Sequence, residues 1–344
     1  MSDVISSADA RPVRAGFRRL AVAAAITSLV VIAVGGATRA TDSGLACPTW
    51  PGCFTGGDFL PPITGEFVDG LGRNVTGINI WLEHSHRLVA GLLAVQVAAL
   101  LVWVLRRYRH VPGLLWPVVV AAVAVNVQAL LGALVVWNLV QAELVTLHLG
   151  LGTATMVLLI FLAARSHGAV ATAGLRRPAE PNRARLWRLS VITTAMLWGQ
   201  ILIGGHLSGI HGGLAFKSRP LLGIFTIGPI TIEEEAINVV HRYLAYAVAA
   251  LVMVLAIRIK RSVDAAGGPA QLWARVSAGL VGLQIVLGVT NLYSDLSYVS
   301  VIPHLAVASW ILAALTMTTI HLCDRDDLGS AARTPAPDRI GAGV

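Results

Sequence analysis

The chain has 344 residues, 56% of them hydrophobic and only 13% charged, with a formal net charge of +8 and a mean hydropathy of +0.72. Soluble domains carry about 25% charged residues, so the composition excludes an ordinary cytosolic enzyme, a disordered chain and a disulfide-knotted secreted module. The positive balance does not describe a nucleic-acid-binding face either. Lys and Arg lie between apolar runs, where a membrane protein keeps its cytoplasmic anchors.

A helix needs about 20 apolar residues to cross about 30 Å of hydrocarbon. Eight stretches qualify, near 17–36, 82–105, 114–137, 144–164, 187–207, 238–258, 272–292 and 302–322. Little more than Asn138 to Glu143 separates the third from the fourth, which predicts a tight hairpin. With a cytoplasmic N-terminus, most basic residues fall inside: Arg11, Arg14, Arg18 and Arg19, then Arg106, Arg107 and Arg109, then the cluster from Arg165 to Arg188, then Arg258, Lys260, Arg261 and Arg275, and finally Arg325, Arg333 and Arg339. Outside loops keep Arg39, Arg73, Lys217 and Arg219, while Arg87 and Arg242 fall within spans. This bias places both termini in the cytoplasm.

The first span also has the look of a signal peptide, with basic residues before it and Gly35, Gly36 and Ala37 at its end. An internal repeat argues against that reading by giving the span a partner. Ile32 to Gly36 answers Ile201 to Gly205, His86-Arg87 answers His241-Arg242, Gln128 to Gly132 answers Gln284 to Gly288, and His148-Leu149 answers His304-Leu305. The interval from Gln128 to His148 equals that from Gln284 to His304. Each half starts inside and has four spans, so the repeats are parallel.

The expected fold is therefore an all-α integral membrane protein, with eight transmembrane helices arranged as two parallel pseudo-symmetric four-helix bundles. The expected organisation is a cytoplasmic tail at 1–16, an N-terminal bundle at 17–165, a cytoplasmic linker at 166–186, a C-terminal bundle at 187–322 and a cytoplasmic tail at 323–344. The polar ends, 1–12 and 326–344, read as disordered.

His86, His148, His241 and His304 each lie a few residues past the outer start of an even-numbered span, so all four share one depth. One intramembrane histidine is commonly a hydrogen-bonded packing residue. Four at one depth, paired by a repeat, point to function. Two imidazoles facing each other across a four-helix bundle suit a haem iron; zinc would need four ligands in each bundle. Arg87 and Arg242 are candidate partners for haem propionates, against the plainer reading that they snorkel to the interface. His84, His206, His211, His110, His167 and His321 have no equivalent in the other half and read as surface residues.

The halves differ at one place of chemical interest. Glu83 precedes His86 by three residues, on the same helix face, where the second half has Asn238. A carboxylate beside one histidine pair suggests proton-coupled chemistry there; the bland alternative is a favourable interaction with the helix dipole. The longest outer loop, 37–81, carries Cys47-Pro48-Thr49-Trp50-Pro51-Gly52-Cys53, which outside the cytoplasm can close a small disulfide ring, structural or redox-active. Cys323 reads as an ordinary thiol.

The run Gly35-Gly36-Ala37-Thr38-Arg39-Ala40-Thr41-Asp42-Ser43-Gly44-Leu45-Ala46-Cys47-Pro48-Thr49-Trp50-Pro51-Gly52-Cys53, with Glu83-x-x-His86-Arg87, resembles the haem A synthase family across about 17–322. The resemblance implies a bacterial plasma-membrane enzyme that oxidises the C8 methyl of haem O to a formyl group. It would do so by successive hydroxylations and collapse of a gem-diol, giving haem A for cytochrome oxidase. It implies haem O as substrate with iron ligands His86 and His148, and haem b as cofactor with iron ligands His241 and His304. It also implies Glu83 as the essential carboxylate and Cys47 and Cys53 as the outer-loop pair of the disulfide-bearing type. The partners implied are haem O synthase (protohaem farnesyltransferase) as supplier, an electron donor of unknown identity and the lipid bilayer, with no nucleic acid; a homo-oligomer is compatible with the sequence. The competing readings are a transmembrane di-haem b electron-transfer protein and a haem-binding or transport module without catalysis.

Overall fold

The computed structural model describes residues 13–53, 60–61, 64–167, 175–176, 178–217, 233–262 and 268–325. The extreme ends 1–12 and 326–344, expected as disordered tails, lie outside the described residues, as do Arg11, Arg219, Arg333 and Arg339.

Among the described residues, eight helices are long and apolar enough to cross a membrane: α1 (Ala15–Ala40), α2 (Gly77–Arg107), α3 (Pro112–Trp137), α4 (Ala142–Arg165), α5 (Pro181–Gly209), α6 (Glu233–Arg261), α7 (Pro269–Tyr293) and α8 (Tyr298–Leu322). The chain is a multi-pass membrane protein. Each helix includes an apolar run read from sequence and extends beyond it, and at α2 and α5 a polar cap sets the start. Thr76 and Asn79 form a capping box that starts α2 at Gly77. The Glu180 side chain accepts from the backbone N–H groups of Asn182 and Arg183, with Pro181 in the first helical turn. That cap corrects the expected linker, whose last six positions belong to α5.

In the first half α1 packs on α2 and α4, and α3 closes the ring against α2 and α4; in the second, α5 packs on α6 and α8, and α7 on α6 and α8. The halves meet through α1 with α8, α4 with α5, and α4 with α8. Glycines permit this close approach. A Cβ on Gly36 would stand 2.5 Å from Leu305, the residue after His304, and a Cβ on Gly205 would stand 2.6 Å from Leu149, the residue after His148. Each half thus receives a leucine from the other at the same helical position.

The turns repeat as well. Leu139 and Val140 between α3 and α4 have φ of 53° and 61°, and Asp295 and Leu296 between α7 and α8 have 54° and 60°. Asp42 after α1 has φ 51°, and His211 after α5 has 59°. A left-handed conformation costs a side-chain-bearing residue about 1–2 kcal/mol, so the matched tertiary contacts of each half must offset it. Outward-facing Val95, Trp116, Val123 and Trp310 are exposed, as lipid contact requires.

Short strands decorate the ends. β1 (Glu66–Val68) and β2 (Asn74–Thr76) form an antiparallel hairpin in the loop after α1. β3 (Leu175–Arg176) pairs with β4 (Asp324–Arg325), joining the linker to the chain after α8. Beside them, the Arg183 guanidinium donates to the carbonyls of His321, Leu322 and Cys323, satisfying the end of α8.

Candidate functional site

The four intramembrane histidines sit in the second or third turn of α2, α4, α6 and α8, at the end of the molecule that carries Cys47. Each imidazole rests against a glycine of the preceding helix. A Cβ at Gly35 would lie 2.8 Å from His86, at Gly132 3.3 Å from His148, at Gly204 2.7 Å from His241 and at Gly288 3.2 Å from His304. The repeat marks these glycines in the sequence, but only the packing shows that each one is a seat for a ring.

The structure brings His86 and His148 together, with ring centroids 6.3 Å apart. Two imidazole–metal bonds of about 2 Å each, plus the two half-rings, come to about 6 Å. His241 and His304 occupy the corresponding turns of α6 and α8 in the second half. Among the described residues, the Nδ1 atoms of His86, His148 and His304 are buried without a hydrogen-bond partner, which native interiors rarely tolerate without a reason. Two imidazoles per bundle, in an apolar setting with no carboxylate between them among the described residues, fit a bis-histidine haem better than a hard divalent cation.

Glu83 and Arg87 stand at the mouth of the first pair. Glu83 is only 4% exposed; its Oε2 accepts the Cys47 backbone N–H at 2.7 Å and its Oε1 pairs with the Arg87 guanidinium. Arg87 also donates to the carbonyls of Thr49, Gly52 and Cys47 at 2.6, 2.8 and 3.0 Å. Its guanidinium therefore binds carbonyls of the ring closed by the Cys47–Cys53 disulfide. The dipole explanation for Glu83 does not apply, since the carboxylate lies beyond the first turn of α2 and the capping box serves the helix end. In the second half Asn238 donates to Gly212 and Gly213 carbonyls at 2.8 and 3.2 Å, and Arg242 donates to the Phe216 carbonyl at 3.3 Å. Both arginines, expected from position to face propionates, have loop carbonyls as partners here.

His84 corrects the surface reading. It is 4% exposed, its ring meets Trp81 edge-on at 5.7 Å, and its nitrogen lies within 4.8 Å of both disulfide sulfurs. The i, i+2 relation to His86 turns it to another face of α2, towards the loop that covers that face.

Gln200 carries no mark in the repeat, because the matching position in α1 is Val31. Its Nε2 nevertheless lies 3.0 Å from His241 Nδ1. The available signal is Gln200-x-x-x-Gly204, the same spacing as Gln128 to Gly132 and Gln284 to Gly288.

Among the described residues, eight helices long and apolar enough to cross a membrane, bearing four half-buried histidines near one end, define a multi-pass membrane protein with paired intramembrane histidines. The sequence matches the COX15-CtaA family, cytochrome oxidase assembly protein, over residues 18–316. Its relatives include proteins named haem A synthase. One from Shewanella oneidensis is 27% identical, covering 86% of this chain and 93% of the relative. One from Methylobacterium sp. is 30% identical, covering 83% and 86%, and one from Caulobacter sp. is 29% identical, covering 85% and 92%. The chain belongs to the COX15-CtaA family of cytochrome oxidase assembly proteins.

Proposed function

We propose that this chain is a haem A synthase: an oxidoreductase that converts the C8 methyl of haem O to a formyl group, in a bacterial plasma membrane with both termini cytoplasmic. The observation that carries the reading is the asymmetry between two otherwise matching halves. Both contain a glycine-seated histidine pair, and among the described residues only the first adds a buried carboxylate one turn from a histidine. The names of the relatives support the same activity, and they favour it over a di-haem electron carrier.

In this reading His86 and His148 hold the iron of the substrate haem O, and His241 and His304 hold haem b, which supplies redox chemistry when bound. The chain's own contribution lies in placement. Gly35 and Gly132 leave the two rings the space that a Cβ would take. Glu83 is the group that handles protons near the methyl carbon. Its Oε2 is held by the Cys47 N–H and its Oε1 by Arg87, so the carboxylate keeps one orientation while the substrate reacts. The disulfide ring is the frame for both residues, since it fixes the carbonyls that Arg87 binds. Haem O synthase is the supplier of substrate.

The test is expression with haem O synthase in a host lacking haem A, followed by chromatography of extracted haems. Haem A is expected. Haem O alone, from a chain that binds haem normally, would refute the enzyme and leave the electron carrier.

A further inference from the structure

Arg87 turns its donors to Glu83 and to loop carbonyls, and a second cation, Arg39, stands near the same histidine pair. Arg39 lies in the last turn of α1, four residues beyond Gly35, the seat of His86. Positions i and i+4 share a helix face, so Arg39 is one turn, about 6 Å, nearer the Cys47 end than that seat. The packing of α1 on α2 gives the same depth: Thr38 Oγ1 donates at 3.1 Å to the carbonyl of Leu82, the neighbour of Glu83. The Arg39 guanidinium crosses to the other half. Its Nη2 donates to the Ser208 carbonyl at 2.9 Å, and Ser208, four residues beyond Gly204, is the position that answers Arg39 in the repeat. Its Nη1 reaches Asp42 at 3.1 Å, a carboxylate that is 66% exposed. These two contacts leave guanidinium N–H donors without a partner among the described residues. A basic side chain in a last turn ordinarily answers the helix dipole. Here the backbone N–H groups of Thr41, Asp42 and Ser43 already close α1, on the carbonyls of Ala37, Arg39 and Thr38, and Arg39 binds a carbonyl of the opposite half instead.

We propose that Arg39 is the carboxylate-recognition residue of the first haem position: its guanidinium, held where the halves meet by the Ser208 carbonyl, exchanges Asp42 for a propionate of the haem between His86 and His148. This rests on the reading of His86 and His148 as haem ligands. Water screens an exposed pair such as Arg39 with Asp42, which therefore contributes little, so a second carboxylate displaces Asp42 readily. A guanidinium fork takes a carboxylate through two parallel hydrogen bonds, and the tether to Ser208 orients it before the ligand arrives. The consequence is positional. Two axial imidazoles fix the iron but leave the macrocycle free to turn about the axis that joins them. The C8 methyl and one propionate are neighbours on the same pyrrole ring, so holding that propionate at Arg39 brings the methyl to the depth of Glu83. The second half has a serine hydroxyl where the first has this cation, so this recognition belongs to the half that carries the carboxylate.

The experiment is optical titration of the full-length protein, purified in detergent with haem b bound, using haem O and its dimethyl ester, in which both propionates are uncharged. Wild type, Arg39→Gln and Asp42→Asn are compared; asparagine accepts the φ of 51° at position 42. Wild type is expected to prefer the acid. Arg39→Gln should bind the acid about tenfold more weakly, the worth of a hydrogen-bonded charge, and the ester as before. Asp42→Asn should bind the acid more tightly, because the competing carboxylate is gone. An acid-to-ester ratio that keeps its wild-type value in Arg39→Gln would overturn the proposal, whether both affinities hold or both fall, the second being a packing effect. If Arg39→Gln does not fold, Asp42→Asn decides: a raised ratio supports the proposal and an unchanged one overturns it. Failure of the underlying reading looks different: haem O that binds undiminished to a His86→Ala, His148→Ala double variant removes the ligands and the proposal together.

Discussion

Glu83 and Asn238 occupy matching positions in α2 and α6, and both reach the backbone of the loop that follows the first helix of their half. Glu83 accepts from the Cys47 N–H, whereas Asn238 donates to the Gly212 and Gly213 carbonyls. The same anchoring place is thus filled once by a charged acceptor and once by a neutral donor. Anchoring alone does not demand a carboxylate, and the extra charge in the first half, with Arg87 against it, is where the chemistry is proposed.

Replacement of that carboxylate separates binding from reaction. Glu83→Gln keeps the side-chain volume and both histidines, so haem binding is expected to persist. Haem A formation should fall by about 10²–10⁴, as when an acid–base group is removed. Extracted haems separated by chromatography check it: accumulated haem O is the expected outcome, and a normal haem A yield would reduce Glu83 to a loop anchor.

The glycine seats predict which histidine each substitution disturbs. Gly204→Ala puts a methyl 2.7 Å from the His241 ring, closer than carbon atoms pack, and should lower haem b content while leaving the first pair intact. Gly35→Ala, at 2.8 Å from His86, should act on the first pair alone. Gly199→Ala and Gly279→Ala meet nothing within 4 Å and serve as controls with wild-type spectra. Optical spectra of the purified variants distinguish the cases.

Breaking the Cys47–Cys53 ring should loosen the carbonyl frame around Arg87. A Cys47→Ser, Cys53→Ser variant is expected to lose about 2 kcal/mol of stability, at the low end for disulfides because the loop is short. Thermal unfolding of the detergent-solubilised protein measures this, and alkylation of the non-reduced wild type should label Cys323 only. Labelling of all three cysteines would show the ring to be open in the membrane.

The hairpin of β1 and β2 should be sensitive to acid. Burial pulls the Asp69 carboxyl up, but hydrogen bonds from the Arg73 backbone, the Arg73 side chain and the Leu71 backbone outweigh it, leaving Asp69 below its ordinary 3.8. A carboxyl lowered in the folded state contributes stability above the unfolded value and loses it as pH falls through the folded one. Asp69→Asn should therefore lower the melting temperature at neutral pH and make no difference well below pH 3.8. Equal penalties at both pH values would contradict this.

The sequence by itself determined the spans, because about 20 apolar residues admit only a helix across hydrocarbon, where every backbone group must be satisfied internally. It also shows an internal repeat, because His, Arg, Gln and Gly recur at fixed intervals in an otherwise interchangeable apolar background. Helix ends were less legible, since the Thr76–Asn79 box and the Glu180 cap lie outside the apolar runs. What only the tertiary structure decided are the contacts between segments far apart in the chain. Nothing in the local pattern says that Gly36 receives Leu305 while Gly205 receives Leu149, that His84 turns inward onto the disulfide, or that Arg87 is enclosed by carbonyls of the loop. Gln200 was legible only as a third Gln-x-x-x-Gly, with Gln128 to Gly132 and Gln284 to Gly288; that it reaches His241 on the next helix is a tertiary fact.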